Sequence, residues 1–162
     1  MSYIVVDLDN TLVAPNYEQL GMIPSNWNWA KFGNSMRELE IYDGIYSSVL
    51  NLWEESNRLA KIIILTARPS FLRDLTKDSL KNSGIEYDSL ITMGEKSTRR
   101  LVESQTLEER DAATVNFKAT ELLSLVEGDG VIKCYEDNPV NIKMMEMLGF
   151  DVIKCDRGEI IK

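Results

Sequence analysis

The stretch Tyr3-Ile4-Val5-Val6-Asp7-Leu8-Asp9-Asn10-Thr11 opens with four apolar, mostly β-branched residues and then turns polar. Four further runs resemble its opening: IIIL at 62–65, SLIT at 89–92, VIKCY at 131–135 and DVIKC at 151–155. IIIL does not alternate with polar residues, so both its faces must be covered, as in a parallel sheet packed between helices. Helical patterns separate the runs. Asp43 and Gly44 precede Ile45, Val49, Leu52, Trp53 and Leu59. Ser70 is a candidate cap for Phe71, Leu72, Leu75 and Leu80, with Gly84 as the stop. Asn138-Pro139 starts a last helix with Ile142, Met144, Met145 and Leu148, closed by Gly149. The order βαβαβα predicts an α/β fold on a five-stranded parallel sheet flanked by helices.

Composition narrows the function. The 162 residues carry 18 Lys and Arg against 26 Asp and Glu, a net charge of −8, so no broad basic field attracts long nucleic acid. His is absent, which excludes imidazole bases, Ser-His and Cys-His pairs and imidazole metal sites. Catalysis would fall to carboxylates, hydroxyls, Lys and Arg. Cys134 and Cys155 belong to no CxxC pair and read as reduced thiols. A strand starting at Tyr3 leaves no room for a leader, and the longest apolar runs are short, so a soluble cytoplasmic protein with no membrane partner is expected.

Neither repeats nor a linker interrupt residues 1–162, which read as one domain. The several Met of the last helix read as gap-filling core. Residues 93–117 are polar and read as a solvated helix or helix pair on the rim, carrying the basic doublet Arg99-Arg100 among acids. The irregular stretch is 12–43, with Pro15, Pro24, Trp27, Trp29 and Phe32. It exceeds an ordinary connection, and such an insertion after a strand commonly shapes a site.

Open parallel sheets bind ligands beyond the carboxyl ends of their strands. There the chain places Asp7, Asp9, Asn10 and Thr11 after the first run, Thr66 and Arg68 after the second, and Glu136, Asp137 and Asn138 after the fourth. Lys118 opens the helical pattern before the fourth. Gathered carboxylates repel, and a hard divalent cation such as Mg²⁺ relieves that cost beside phosphate. Thr66 and Lys118 can then donate to phosphate oxygens. Asp7 can attack phosphorus, giving an aspartyl-phosphate, while Asp9 gives a proton to the leaving oxygen and later activates water.

DxDxT after an apolar strand, then Thr66, Lys118 and the acidic pair Glu136-Asp137, in that order, resemble the four motifs of the haloacid dehalogenase superfamily. Within it, ITMG…STRR, NFKATELL and YEDNPVNIKMMEMLGFDVI are similar to the 3′-phosphatase domain of phage polynucleotide kinase and to RNA-repair-like domains of the same superfamily. The resemblance implies a Rossmann-like fold and a Mg²⁺-dependent phosphatase. It implies metal ligation by the Asp7 side chain, the Asp9 main-chain carbonyl and the Asp137 side chain, with Glu136 acting through water, and phosphate binding by Thr66 and Lys118. Two positions depart from the pattern: Asn10 stands where Gly is common, and Glu136 opens the acidic pair with a longer side chain.

Asn10, Thr66, Arg68 and Lys118 are the candidate substrate-binding residues. Arg68 has two readings, a fork on phosphate or a nucleotide edge and a pair with a surface acid. Trp27 and Trp29 either stack on a base or form a small loop core. The insertions at 12–43 and about 94–112 are too short for a full cap domain, and an open site suits a large substrate such as an RNA or DNA 3′-phosphate end. A nucleotide is the other candidate, favoured by the net charge. The rivals are a 5′-nucleotidase or small-metabolite phosphatase, and a non-catalytic metal-dependent module that binds phosphate or nucleic-acid ends. A receiver-type phosphoacceptor would need an Asp after the third strand, where Met93-Gly94 stand.

Overall fold

The computed structural model describes residues 2–14, 23, 26–35, 37–127 and 130–161. One sheet contains β1 (Tyr3–Val6), β2 (Lys61–Leu65), β3 (Ser89–Ile91), β4 (Val131–Glu136), β5 (Val152–Asp156) and β6 (Glu159–Ile160), in the spatial order β3-β2-β1-β4-β5-β6. The first five are mutually parallel, as the sequence predicts. The sixth is an addition, antiparallel to β5. Arg157 and Gly158 have φ of 50° and 82°, which suits the tight two-residue turn of a hairpin.

Alternation along the strands builds two cores. Ile4, Val6, Ile62 and Ile64 face one way and join Ile45, Val49 and Leu80 from α2 (Asp43–Glu55) and α3 (Arg73–Asn82). Val5, Ile63 and Leu65 face the other way, toward Leu101 of α4 (Glu95–Val102), Phe117 and Leu122 of α5 (Leu107–Val126) and Met145 of α6 (Pro139–Met147). Each such buried aliphatic stabilises the fold by about 1.5–3 kcal/mol. Cys134 and Cys155 are free, buried and in different cores, and burial pushes both thiols up to about 12.

Local signals explain the helix ends. The Asn138 side chain accepts from Val140 N–H at 2.9 Å, with Pro139 at the first helical position. Ser70 does not cap α3. It opens a 3₁₀ turn, Ser70–Leu72, and its N–H donates to Thr98 Oγ1 at 2.9 Å. The polar stretch 93–117 spans α4 and the first half of α5, whose polar start is capped by Thr106 accepting from Glu109 N–H. Further along α5, Ala113, Phe117, Lys118 and Leu122 are buried.

The insertion is pinned at its neck. Ala14 N–H donates to Glu40 O and Tyr42 N–H to Leu12 O, each at 2.8 Å. It contains α1 (Trp29–Ser35), while its Pro15 and Pro24 lie outside the described residues. Among the described residues no helix is long and apolar enough to cross a membrane.

The strand order fixes where a ligand would sit. The chain lays β2 and β3 on one side of β1 and β4 and β5 on the other, so the crossovers part between β1 and β4. The crevice beyond the carboxyl ends of those two strands is where such sheets bind ligands.

Candidate active site

β1 delivers Asp7 into that crevice. Its N–H continues the ladder by donating to Tyr135 O at 3.0 Å, and the chain then knots, with Leu8 O accepting from the N–H groups of Thr11, Leu12 and Val13. Asn10 sits in this knot at φ 64°, the left-handed region that Gly and Asn tolerate best. That backbone requirement accounts for an Asn at this position. Its Nδ2 donates to Asp137 Oδ2 at 2.8 Å.

Buried Lys118 reaches in from α5 and places Nζ 2.7 Å from Asp7 Oδ1 and 2.7 Å from Glu136 Oε1. An ammonium has three donors, and two are committed here. The other Glu136 oxygen accepts from the N–H groups of Asp137 and Asn138 at 3.0 and 3.3 Å. With both oxygens engaged and no exposed surface, Glu136 orients Lys118 and the start of α6.

One oxygen from each of Asp7, Glu136 and Asp137 falls within 4.8 Å of the others. Thr11 Oγ1 lies 2.9 Å from Asp7 Oδ2 and 3.0 Å from Asp137 Oδ1, yet a hydroxyl has one proton to donate. Three carboxylates share a single lysine charge, which leaves an excess of buried negative charge. Burial pushes Asp7 up, but the Lys118 charge and hydrogen bonds from Asp137 and Lys118 outweigh it, so its pKa lies below the usual value. Burial and the Asp7 charge push Glu136 up to about 7 and Asp137 up to about 9. Burial lowers Lys118 as well, but its two carboxylates outweigh that and raise it. Either a proton on Asp137 or a cation balances the cluster. The all-oxygen donor set, Asp7 and Asp137 above all, fits a hard divalent cation.

Asp9 stands apart from this cluster. Arg68 grips its carboxylate with Nε to Oδ2 at 2.9 Å and Nη2 to Oδ1 at 2.7 Å. Arg68 Nη1 also donates to Thr76 Oγ1 at 3.0 Å, and the guanidinium lies over the Phe32 ring at 5.6 Å. Neither reading of Arg68 describes this arrangement: it pairs with an acid, but that acid is Asp9, the second Asp of DxDxT, in the wall of the site rather than on the surface. Thr66 is buried at the end of β2, where its hydroxyl accepts from Arg68 N–H at 3.3 Å.

A cavity of about 270 Å³ collects the candidates: Asp7, Asp9, Asn10, Thr66, Arg68, Lys118, Glu136 and Asp137 all line it. Trp27 and Trp29 line it too, with ring centroids 4.8 Å apart, and both pack against Phe32, so the loop core and the cavity wall are the same residues. Arg99 and Arg100 lie exposed on α4. Thr114 on α5 and Asn141 on α6, which carry no motif in the sequence, also line the cavity. For Asn141 a signal existed: an amide three residues after Asn138, on the helix side that buries Ile142 and Met145.

No protein-family model matches the chain, and no curated protein matches it in sequence. Two solved structures resemble it in fold. One is described as the structure of the Pnkp1/Rnl/Hen1 complex, with TM-score 0.65, 19% identity, and coverage of 98% of this chain and 47% of that one. The other is described as the structure of the Pnkp1/Rnl/Hen1 RNA repair complex, with TM-score 0.67, 19% identity, and coverage of 98% and 43%. This chain spans less than half the length of either, and at that identity the likeness is one of fold.

Proposed function

We propose that the protein is a Mg²⁺-dependent phosphomonoesterase of haloacid dehalogenase type, acting on the 3′-phosphate of an RNA or DNA end or on a nucleotide. The observation that carries this reading is Asp7, held ionised beside Lys118 at the one point where the carboxyl ends of β1 and β4 meet. The fold likeness to chains of an RNA repair complex supports the nucleic-acid side of the proposal.

Mg²⁺ held by Asp7, the Asp9 carbonyl and Asp137 would neutralise charge on the phosphoryl oxygens. An Asp7 oxygen attacks phosphorus, the bond from phosphorus to the leaving oxygen breaks, and that oxygen takes the electron pair and a proton relayed by Asp9, whose carboxylate first leaves Arg68 and takes up that proton from solvent. Water then attacks the aspartyl-phosphate, Asp9 accepts its proton, and Asp7 is released with inorganic phosphate. Lys118 keeps Asp7 anionic, and Thr66 offers a hydroxyl to the phosphate. The cavity is small enough to admit a terminal residue rather than a length of strand.

The test is phosphate release from a 3′-phosphorylated oligonucleotide, the same oligonucleotide phosphorylated at its 5′ end, and free nucleoside monophosphates. The proposal expects activity that EDTA stops and Mg²⁺ restores, with the 3′-phosphorylated end among the good substrates. Activity indifferent to EDTA, or none on any substrate, contradicts it.

A further inference from the structure

Among the described residues, three buried side-chain polar atoms lack a hydrogen-bond partner: Trp27 Nε1, Trp29 Nε1 and Asn141 Oδ1. All three residues line the cavity that holds Asp7. A buried polar group left unpaired costs about 1–3 kcal/mol, and because these three atoms have almost no accessible surface of their own, a bound group would remove that cost only as their side chains turn toward the cavity they line. Asn141 makes the point most sharply. It is 3% exposed on the helix side that carries Ile142 and Met145, where an apolar residue would be cheaper to bury.

The unmet atoms define a chemistry. Two indole N–H groups require acceptors, and one carboxamide oxygen requires a donor. The Trp pair is braced by Phe32, and Trp29 also meets Phe71 edge-on at 5.6 Å, so the rings that carry these N–H groups form a packed aromatic wall of the cavity. A bare phosphate offers such a wall no planar face. A nucleobase offers a face, ring-nitrogen or carbonyl acceptors, and an N–H donor.

Building on the phosphatase reading, we propose that the part of the cavity formed by Trp27, Trp29 and Asn141 is a nucleoside-recognition subsite that holds the base of the nucleotide bearing the phosphate. Asn141 is then a specificity-determining residue and the indole N–H groups are hydrogen-bond donors to the substrate. The substrate class narrows to nucleotides and nucleic-acid ends, and sugar phosphates are poor substrates.

The experiment compares kcat/KM for a trinucleotide carrying a 3′-phosphate with that for the same molecule whose terminal residue is abasic. The wild type favours the base-bearing substrate. Trp29→Phe, which keeps the ring and removes the N–H, and Asn141→Leu each lower that preference about tenfold, the equivalent of one hydrogen bond of about 1.4 kcal/mol. Equal wild-type rates, or a ratio that neither variant moves, overturn the subsite. If the wild type hydrolyses neither substrate, the phosphatase reading fails and tryptophan fluorescence decides the subsite alone. Tighter binding of adenosine 3′-monophosphate than of inorganic phosphate, lost in Asn141→Leu, supports it, and equal binding overturns it.

Discussion

Arg68 holds Asp9 by both carboxylate oxygens, at 2.9 and 2.7 Å, and so fixes the second acid of DxDxT on a different partner from the first. Asp7 belongs to Lys118 and Asp9 to Arg68, so the two acids of DxDxT are held by different cations, and the proposed roles of nucleophile and proton carrier fall on separately anchored groups. The Arg68 side chain is nearly fully buried, so this separation is built into the fold.

Loss of Arg68 should therefore show in leaving-group chemistry. Arg68→Met frees Asp9 from its fixed position, and positioned proton transfer contributes roughly 10²–10⁴ in rate. We expect kcat/KM for an alkyl phosphate to fall at least about tenfold further than that for p-nitrophenyl phosphate, whose leaving group needs no proton. Equal losses on the two substrates would show that Arg68 serves another purpose.

Lys118 ties two buried carboxylates, and removing one partner of a buried charge pair costs about 3–5 kcal/mol. Lys118→Met should lose that much stability in urea denaturation without added metal. Adding Glu136→Gln to the same chain should recover part of the loss, because one of the stranded charges goes with it. A loss below about 1 kcal/mol, the scale of an exposed pair, would contradict the burial.

Stability should also depend on pH with a definite sign. Glu136 and Asp137 titrate near 7 and 9 in the folded protein, above their ordinary 4.5 and 3.8, so between those values the folded chain binds more protons than the unfolded chain. The stability they contribute is complete below about pH 4 and is lost as pH rises through 7 and 9. Asp7, lowered, works oppositely, and its contribution disappears only as acid protonates it. Melting temperature measured in EDTA should decline from pH 6 to pH 9, Mg²⁺ should reverse the decline, and Asp137→Asn should flatten it. A flat profile in the parent protein would refute the crowded-carboxylate picture.

Much of this was legible in the sequence because the strands announce themselves. IIIL at 62–65 has no polar residue to expose, and Asn138-Pro139 combines a cap with a residue suited only to a first helical turn. The positions of Asp7, Thr66 and Asp137 follow from those strand ends. What stayed hidden depends on partners far apart in the chain. The tie between Arg68 and Asp9 spans 59 positions, and that between Lys118 and Asp7 spans 111. The Ser70 cap failed because its Oγ accepts from Thr98 Oγ1, 28 positions on, and the chain enters α3 through a 3₁₀ turn. β6 escaped notice because its turn places Arg157 at positive φ, which Arg seldom adopts.

The central claim is that Asp7 carries the phosphoryl group. Its most direct test is acid-quenched turnover with a good phosphate ester and Mg²⁺, followed by mass analysis of the peptide containing Asp7. We expect a phosphoryl group on Asp7 during turnover, and neither that adduct nor phosphate release from a folded Asp7→Asn variant. Undiminished phosphate release by Asp7→Asn would contradict it.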